Sequence, residues 1–201
     1  MLTVYLAVAM LLVVAATGAP LKRLTGLRLR HVWLLWAALI DQILVISIIP
    51  DTHQAALAAA HIASYAAAAV FLVVNRRTPG IWLIGAGGLL NGVTITLNGG
   101  TLPASASALR ASGFQETPGQ FANSGVLSDP KLPWFGDIFA TPSWMPGHNV
   151  FSIGDVLIWA GLGWLLWRTC WPGRRAEPYV ARHALETAGR PDARPALVAA
   201  V

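Results

Sequence analysis

Residues 55–74 read AALAAAHIASYAAAAVFLVV. The stretch is twenty residues long, has no Asp, Glu, Lys or Arg, and carries His61 as its one ionisable group below pH 9. At about 1.5 Å per residue, such a helix is about 30 Å long, the thickness of a bilayer's hydrocarbon core. Four further stretches on either side share its character: about Met1–Thr17, about His31–Ile49 ending at Pro50, about Gly80–Leu97, and about Val150–Trp167. A backbone inside lipid must satisfy its own hydrogen bonds, which favours helices. Barrel strands would place a polar residue at every second position, and these runs show no such alternation. The sequence therefore predicts an all-α integral membrane protein, a bundle of five transmembrane helices over residues 1–168. Residues 169–201 follow as a basic tail rich in Arg, Pro and Ala, expected to be disordered.

Composition points the same way. Of 201 residues, 55% are hydrophobic and 11% charged, with mean hydropathy +0.57. A soluble domain carries about 25% charged residues, so the composition argues against an ordinary soluble enzyme. The nine Trp and nineteen Gly suit a membrane protein.

The net charge of +5 acquires meaning from its placement. Lys22, Arg23, Arg28 and Arg30 follow the first helix, and Arg76 and Arg77 follow the third. Arg168, Arg174, Arg175, Arg182, Arg190 and Arg194 follow the fifth. Five helices put all of these on one side, leaving Arg110 and Lys131 on the other. Because cytoplasmic loops hold the excess of Lys and Arg, the N-terminus is expected outside and the C-terminus in the cytoplasm. These residues read as topology signals and anionic-lipid contacts, with no aromatic-interleaved face for nucleic acid. A signal peptide would carry positive charge ahead of its apolar core. Here the charge follows it, so the first helix is expected to be retained. Twelve Arg against two Lys, with abundant Ala, point to a high-GC bacterium and its cytoplasmic membrane. The lone Cys170 and the absence of Cys/His spacing give no metal site or cofactor.

Small residues predict close packing. Gly88 and Gly92 form a GxxxG spacing, expected to meet Ala59, Ala63 and Ala67 of helix three. The loop of about 50 residues from Asn98 to Asn149 opens on the turn signal Asn98-Gly99-Gly100. A short helix is expected from Ser105 to Ser112, closed by Gly113, followed by a small, polar, flexible stretch from Glu116 to Asp129. The apolar block Leu132–Phe139, with Trp144 and Met145, is expected to fold back over the outer mouth of the bundle.

Ionisable groups inside a membrane are costly and so become functional candidates. Asp41, His61, Asn91 and Asp155 lie on four different helices, at about 12, 9, 9 and 8 Å from their outer ends. His61, Ser64 and Tyr65 share one helix face. Gly87, Asn91, Thr94 and Asn98 share another, and Ser152, Asp155 and Trp159 a third. This predicts one polar pocket open to the outside, with Asp137 in the loop above it. The ligand-binding set is then Asp41, His61, Asn91, Thr94, Asn98, Asp137, Ser152 and Asp155. A structural alternative stands beside it: polar groups also hold helices together, and Ser152 with Asp155 has the spacing of a helix cap.

Asn98-Gly99-Gly100 with Leu102-Pro103, then Gly136-Asp137, then Phe151-Ser152-Ile153-Gly154-Asp155-Val156 resemble an uncharacterised bacterial multi-pass membrane family, domain of unknown function 5317. That resemblance implies topology and candidate positions, and no activity. A weaker resemblance in the last two helices is to lipoprotein signal peptidase, a membrane aspartyl protease. Gly87, Gly88 and Asn91 match its penultimate helix, but Thr94 stands where the catalytic aspartate belongs. Phe151 to Asp155 are similar to the start of its last helix. Such an enzyme needs two carboxylates sharing a proton, so Asp155 would require Asp137 or Asp41 as its partner. The leading expectation is a non-enzymatic membrane protein that binds a lipid, peptide or membrane-protein partner through the outward pocket. The alternative is an aspartyl hydrolase, degenerate at Thr94. No inverted repeat or broken helix pair supports a transporter.

Overall fold

The computed structural model describes residues 2–45, 54–113 and 124–171. The chain is mostly helical. Helix α1 spans Leu2–Ala16, and a 3-10 turn at Leu21–Gly26 leads to α2 at Val32–Ile43. Then come α3 at Gln54–Val74 and α4 at Ile81–Leu97, and after a long intervening segment α6 at Ile153–Cys170. These five helices occupy the five apolar stretches. Among the described residues one of them, over Ala55–Val74, is both long and apolar enough to cross a membrane. Tyr5–Ala16, Val32–Ile43 and Ile81–Leu97 are apolar but shorter. The expected end of helix two (46–49), the loop at 114–123 and the tail from 172 onward lie outside the described residues.

The principal contacts run in a row: α2 on α3, α3 on α4, α4 on α6, and α6 on α1. The most extensive is α4 on α6, and its cause is four glycines spaced by seven. A Cβ on Gly80 would overlap the Gly161 carbonyl, and one on Gly87 would overlap the Gly154 carbonyl. The two backbones therefore approach as closely as small residues permit. The expected contact between helices three and four is also present but is less extensive. Gly92 does meet the Tyr65 ring of α3, but nothing lies within 4 Å of a Cβ built on Gly88.

The segment between α4 and α6 is a folded cap, and here the chain departs from an all-α reading. Strand β1 (Leu102–Pro103) pairs in parallel with β2 (Ser124–Gly125), and β3 (Asp137–Ala140) pairs antiparallel with β4 (Val150–Ser152). The last helix thus starts at Ile153, because Val150–Ser152 belongs to a strand. Ser124 and Gly125 also lie within the stretch expected to be flexible, yet they pair with β1. Between the sheets sits α5 (Ala106–Ser112), as the sequence predicts. The Ser105 hydroxyl caps it by accepting from the Ala108 amide at 3.0 Å, and Gly113, at φ +69°, closes it. A small apolar core of Ala104, Ala108, Leu109 and Val150 holds the cap together. Phe139 stacks on Phe151, and Phe151 packs on Trp159 of α6.

Two asparagines tie the connections down. Asn98, at the end of α4, donates to the Lys131 carbonyl at 2.9 Å and accepts from the Lys131 amide at 2.8 Å. Asn75, after α3, pairs with the backbone of Arg30 in the same reciprocal way, at 2.9 and 2.8 Å. Arg23 donates to the Cys170 carbonyl at the end of α6. The segments carrying Arg23, Arg30, Arg76 and Arg77 therefore gather at one end of the helices, opposite the cap.

Candidate functional site

The site lies under the cap, where β4 becomes α6. Ser152 and Asp155 form a reciprocal helix cap. The Ser152 hydroxyl accepts from the Asp155 amide at 3.1 Å, and Asp155 Oδ2 accepts from the Ser152 amide at 2.8 Å. The network then crosses to α4. Asn91 Nδ2 donates to Asp155 Oδ1 at 3.2 Å, and Asn91 Oδ1 lies 2.9 Å from the Ser152 hydroxyl. That hydroxyl is also 2.9 Å from Asp155 Oδ2, so its single proton is shared between two acceptors. A Cβ on Gly154 would overlap Asn91 Oδ1. The glycine that permits helix contact thus also admits the amide. Both carboxylate oxygens of Asp155 accept hydrogen bonds within this cap and network.

Asp137 differs. It sits opposite Ser152 in the β3–β4 ladder and is 4% exposed. Burial pushes its carboxyl up to about 6, the neighbouring Ser124 side chain pulls it partly back, and the Asp155 carboxylate raises it further. Its backbone is fixed by the Ser105 amide, which donates to the Asp137 carbonyl at 3.0 Å. A Cβ on the preceding Gly136 would overlap the Pro103 carbonyl. The chain therefore holds a buried carboxylate beside a second one.

Tyr65 on α3 lies within electrostatic reach of both Asp137 and Asp155. Its ring stands edge-on to His61, with centroids 5.6 Å apart. His61 is fully buried and its Nδ1 donates to the Gly100 carbonyl at 2.7 Å. Gly100, at φ +103°, is pressed against Ala58, where any side chain would collide. This is the structural reason for the Asn98-Gly99-Gly100 turn. Thr94 is fully buried on α4, and its hydroxyl has no hydrogen-bond partner among the described residues.

The predicted set thus divides. Asn91, Asp137, Ser152 and Asp155 come together, with Tyr65 beside them. Asp41 stands apart on α2, facing His61 electrostatically, and its neighbour Gln42 donates to Ser64 at 3.0 Å. Asn98 serves the cap through Lys131. An open pocket was expected, but His61, Asn91, Thr94, Asp137 and Ser152 are all buried. The polar face of α4 is closed by α6 and by the cap. Sequence reasoning missed Ser124, which stands in a polar loop with no periodicity to mark it, and Asn75, whose role depends on a backbone 45 residues away.

Residues 26–167 match a family of unknown function (DUF5317). The chain belongs to that family. The matched region of this DUF5317 protein runs from the approach to α2 nearly to the end of α6, and includes every candidate residue from Asp41 to Asp155. No curated protein and no solved structure matches the chain. Among the described residues no group of His, Cys, Asp and Glu is arranged to hold a metal ion.

Proposed function

We propose that this DUF5317 chain is a multi-pass protein of the bacterial cytoplasmic membrane, with its cap outside and its basic end in the cytoplasm. In this reading the capped polar cluster binds a lipid, a peptide or a membrane-protein partner. Five apolar helices in a row support the membrane setting, as does the apolar surface they leave uncovered: Leu12, Trp82 and Leu89 are 64%, 71% and 67% exposed. Large apolar side chains exposed to this degree on several helices suit a lipid-facing surface.

The observation that carries the binding reading is Asp137. A buried carboxyl held near 6 beside a second carboxylate is unfavourable for folding alone, and such perturbed groups concentrate at functional sites. The unpartnered Thr94 hydroxyl adds a second unmet polar group in the same layer of the fold. The ligand chemistry that fits is a hydrogen-bond donor or cation, such as a peptide or lipid amine, presented to Asp137 when the cap opens. The test is complementation of a deletion strain that has an envelope phenotype. Asp137→Ala and Thr94→Val, each shown to be folded, should fail to restore it. Full restoration by both would sink the binding reading.

A second reading, an aspartyl hydrolase, draws support from the electrostatic coupling of Asp137 to Asp155. Asp137 would then supply the carboxylate that Thr94 does not. It requires that Asp137→Asn and Asp155→Asn each abolish cleavage of a membrane substrate. An unchanged envelope proteome in the deletion strain would remove it.

A further inference from the structure

At the end of the helices opposite the cap lies a cavity of about 410 Å³ lined by Arg28, Arg30, Arg76 and Arg77, together with Asn75 and Thr78. Among the described residues, its lining has four arginines and no Asp or Glu. Among the described residues no hydrogen bond or ion pair engages the side chains of Arg28, Arg30 or Arg77. The cluster is nevertheless built. Asn75 bonds both backbone groups of Arg30, and its carbonyl accepts from the Thr78 amide at 2.8 Å. The segment carrying Arg28 and Arg30 is thereby fixed against the turn carrying Arg76 and Arg77. Guanidiniums gathered without an acid form a site for phosphate oxygens, which they bind in bidentate fashion.

A second cavity, of about 700 Å³, runs along the α3–α4 pair between Tyr65, Ala69, Trp82, Gly85, Gly88 and Leu89. Its lining is almost wholly apolar. Helix contact explains Gly92 of its three glycines but not the other two: Gly88 faces open space, and Gly85 meets only the Leu72 side chain, at 3.9 Å. By contrast, Gly80 and Gly87 are consumed by the contact with α6. The absence of side chains at positions 85 and 88 deepens a groove that no part of the described chain fills. Near neighbours in sequence line the two cavities at the α3–α4 turn: Val73 and Ile81 the groove, Val74 and Thr78 the arginine cavity.

We infer that this pair of cavities is a binding site for one anionic phospholipid. The phosphate lies among Arg28, Arg30, Arg76 and Arg77, and an acyl chain follows the groove past Gly85 and Gly88. Charge selects the lipid class. A zwitterionic headgroup brings an ammonium for which the wall offers no carboxylate, whereas an anionic headgroup leaves no charge of its own unpaired. The inference rests on the membrane reading proposed above and adds to it a specific lipid in the cytoplasmic leaflet, at the far end from Asp137.

The experiment is native mass spectrometry of the full chain in detergent, titrated with dioleoyl phosphatidylglycerol, dioleoyl phosphatidylcholine or inorganic phosphate. Recovery of the chain from cells without detergent would defeat the membrane reading itself, before any lipid is added. Given membrane extraction, one phosphatidylglycerol should be retained in clear preference to phosphatidylcholine. Each arginine near an anionic lipid contributes roughly a fivefold preference, so Arg28→Gln with Arg77→Gln should reduce retention roughly 25-fold. Both side chains are exposed, so the double variant leaves the packing intact. Gly88→Leu fills the groove where nothing stands in its way and should lower lipid retention at least tenfold while leaving inorganic phosphate binding unchanged. Equal retention of the two lipids, or a double arginine variant that behaves like wild type, would overturn the inference. So would a phosphate-sensitive site whose lipid retention is indifferent to Gly88→Leu, since that outcome describes a headgroup-only anion site.

Discussion

Replacing Asp137 by asparagine separates the cost of the buried carboxyl from the architecture that holds it. The folded protein raises this group from 3.8 to about 6, first through burial and further through Asp155, with Ser124 opposing. A raised carboxyl means that the folded state binds its proton more tightly than the unfolded state. Its contribution to stability is therefore fully present below about pH 3.8, falls as pH rises toward about 6, and is absent above that. The ionised side chain then costs about 3 kcal/mol relative to a neutral one. Little screening reduces this, because the residue is 4% exposed. Asparagine keeps the shape but carries no charge. Asp137→Asn should therefore be more stable than wild type by up to about 3 kcal/mol at pH 7.5, or up to roughly 6–12 °C in Tm for a chain of this size. The gain should shrink toward zero near pH 4. The assay is thermal unfolding in detergent at a series of pH values, read as the difference between the two proteins so that other titrating groups cancel. A variant less stable than wild type at pH 7.5, or a difference that does not change between pH 4 and 7.5, would refute the reasoning.

Other consequences follow from the packing. Gly154→Ala drives a methyl into Asn91 and should cost about 1–3 kcal/mol, whereas Gly88→Ala, with open space before it, should stabilise by about 0.5–1 kcal/mol; chemical or thermal unfolding in detergent distinguishes them. Ser152→Ala removes the cap of α6 and one partner of Asn91, and should destabilise by about 1–2 kcal/mol, a loss that Ser152→Thr largely avoids. Asn98→Ala releases Lys131 from α4, so hydrogen exchange should rise in residues 124–135 while α4 and α6 stay protected; uniform exchange across all three would show that Asn98 does not hold the cap.

The helices were legible because each rests on a long run of apolar residues that one strand or one turn does not interrupt. The short helix of the cap was legible for another reason: Ser105 and Gly113 are local signals, and the structure uses both as caps. The strands were not. Val150-Phe151-Ser152 extends the apolar run of α6 without a break, and a short apolar run does not distinguish strand from helix; its pairing depends on Asp137–Ala140, ten residues or more away. The glycines of α4 were read at a spacing of four, but the tight contact uses the spacing of seven in Gly80 and Gly87, matched by Gly154 and Gly161. Which face meets which helix is a tertiary choice that the sequence of one helix does not contain. The grouping of Asn91, Ser152 and Asp155 followed from depth and helix face, and Asp137 was placed by the loop expected above them. Its closure beneath the cap, and the diversion of Asn98 to Lys131, required the folded loop.

The most direct test of the account is the side of the membrane on which each end of the helices lies. Single cysteines at Ser128 in the cap and at Thr25 near Arg23 in a Cys170→Ala background can be probed with a membrane-impermeant maleimide. Ser128→Cys should label in intact cells, or spheroplasts where an outer membrane intervenes, and Thr25→Cys only after the cytoplasmic membrane is permeabilised. Labelling of both from outside, the reverse pattern, or recovery of the chain in the soluble fraction would contradict a capped, outward-facing site on a membrane-embedded array.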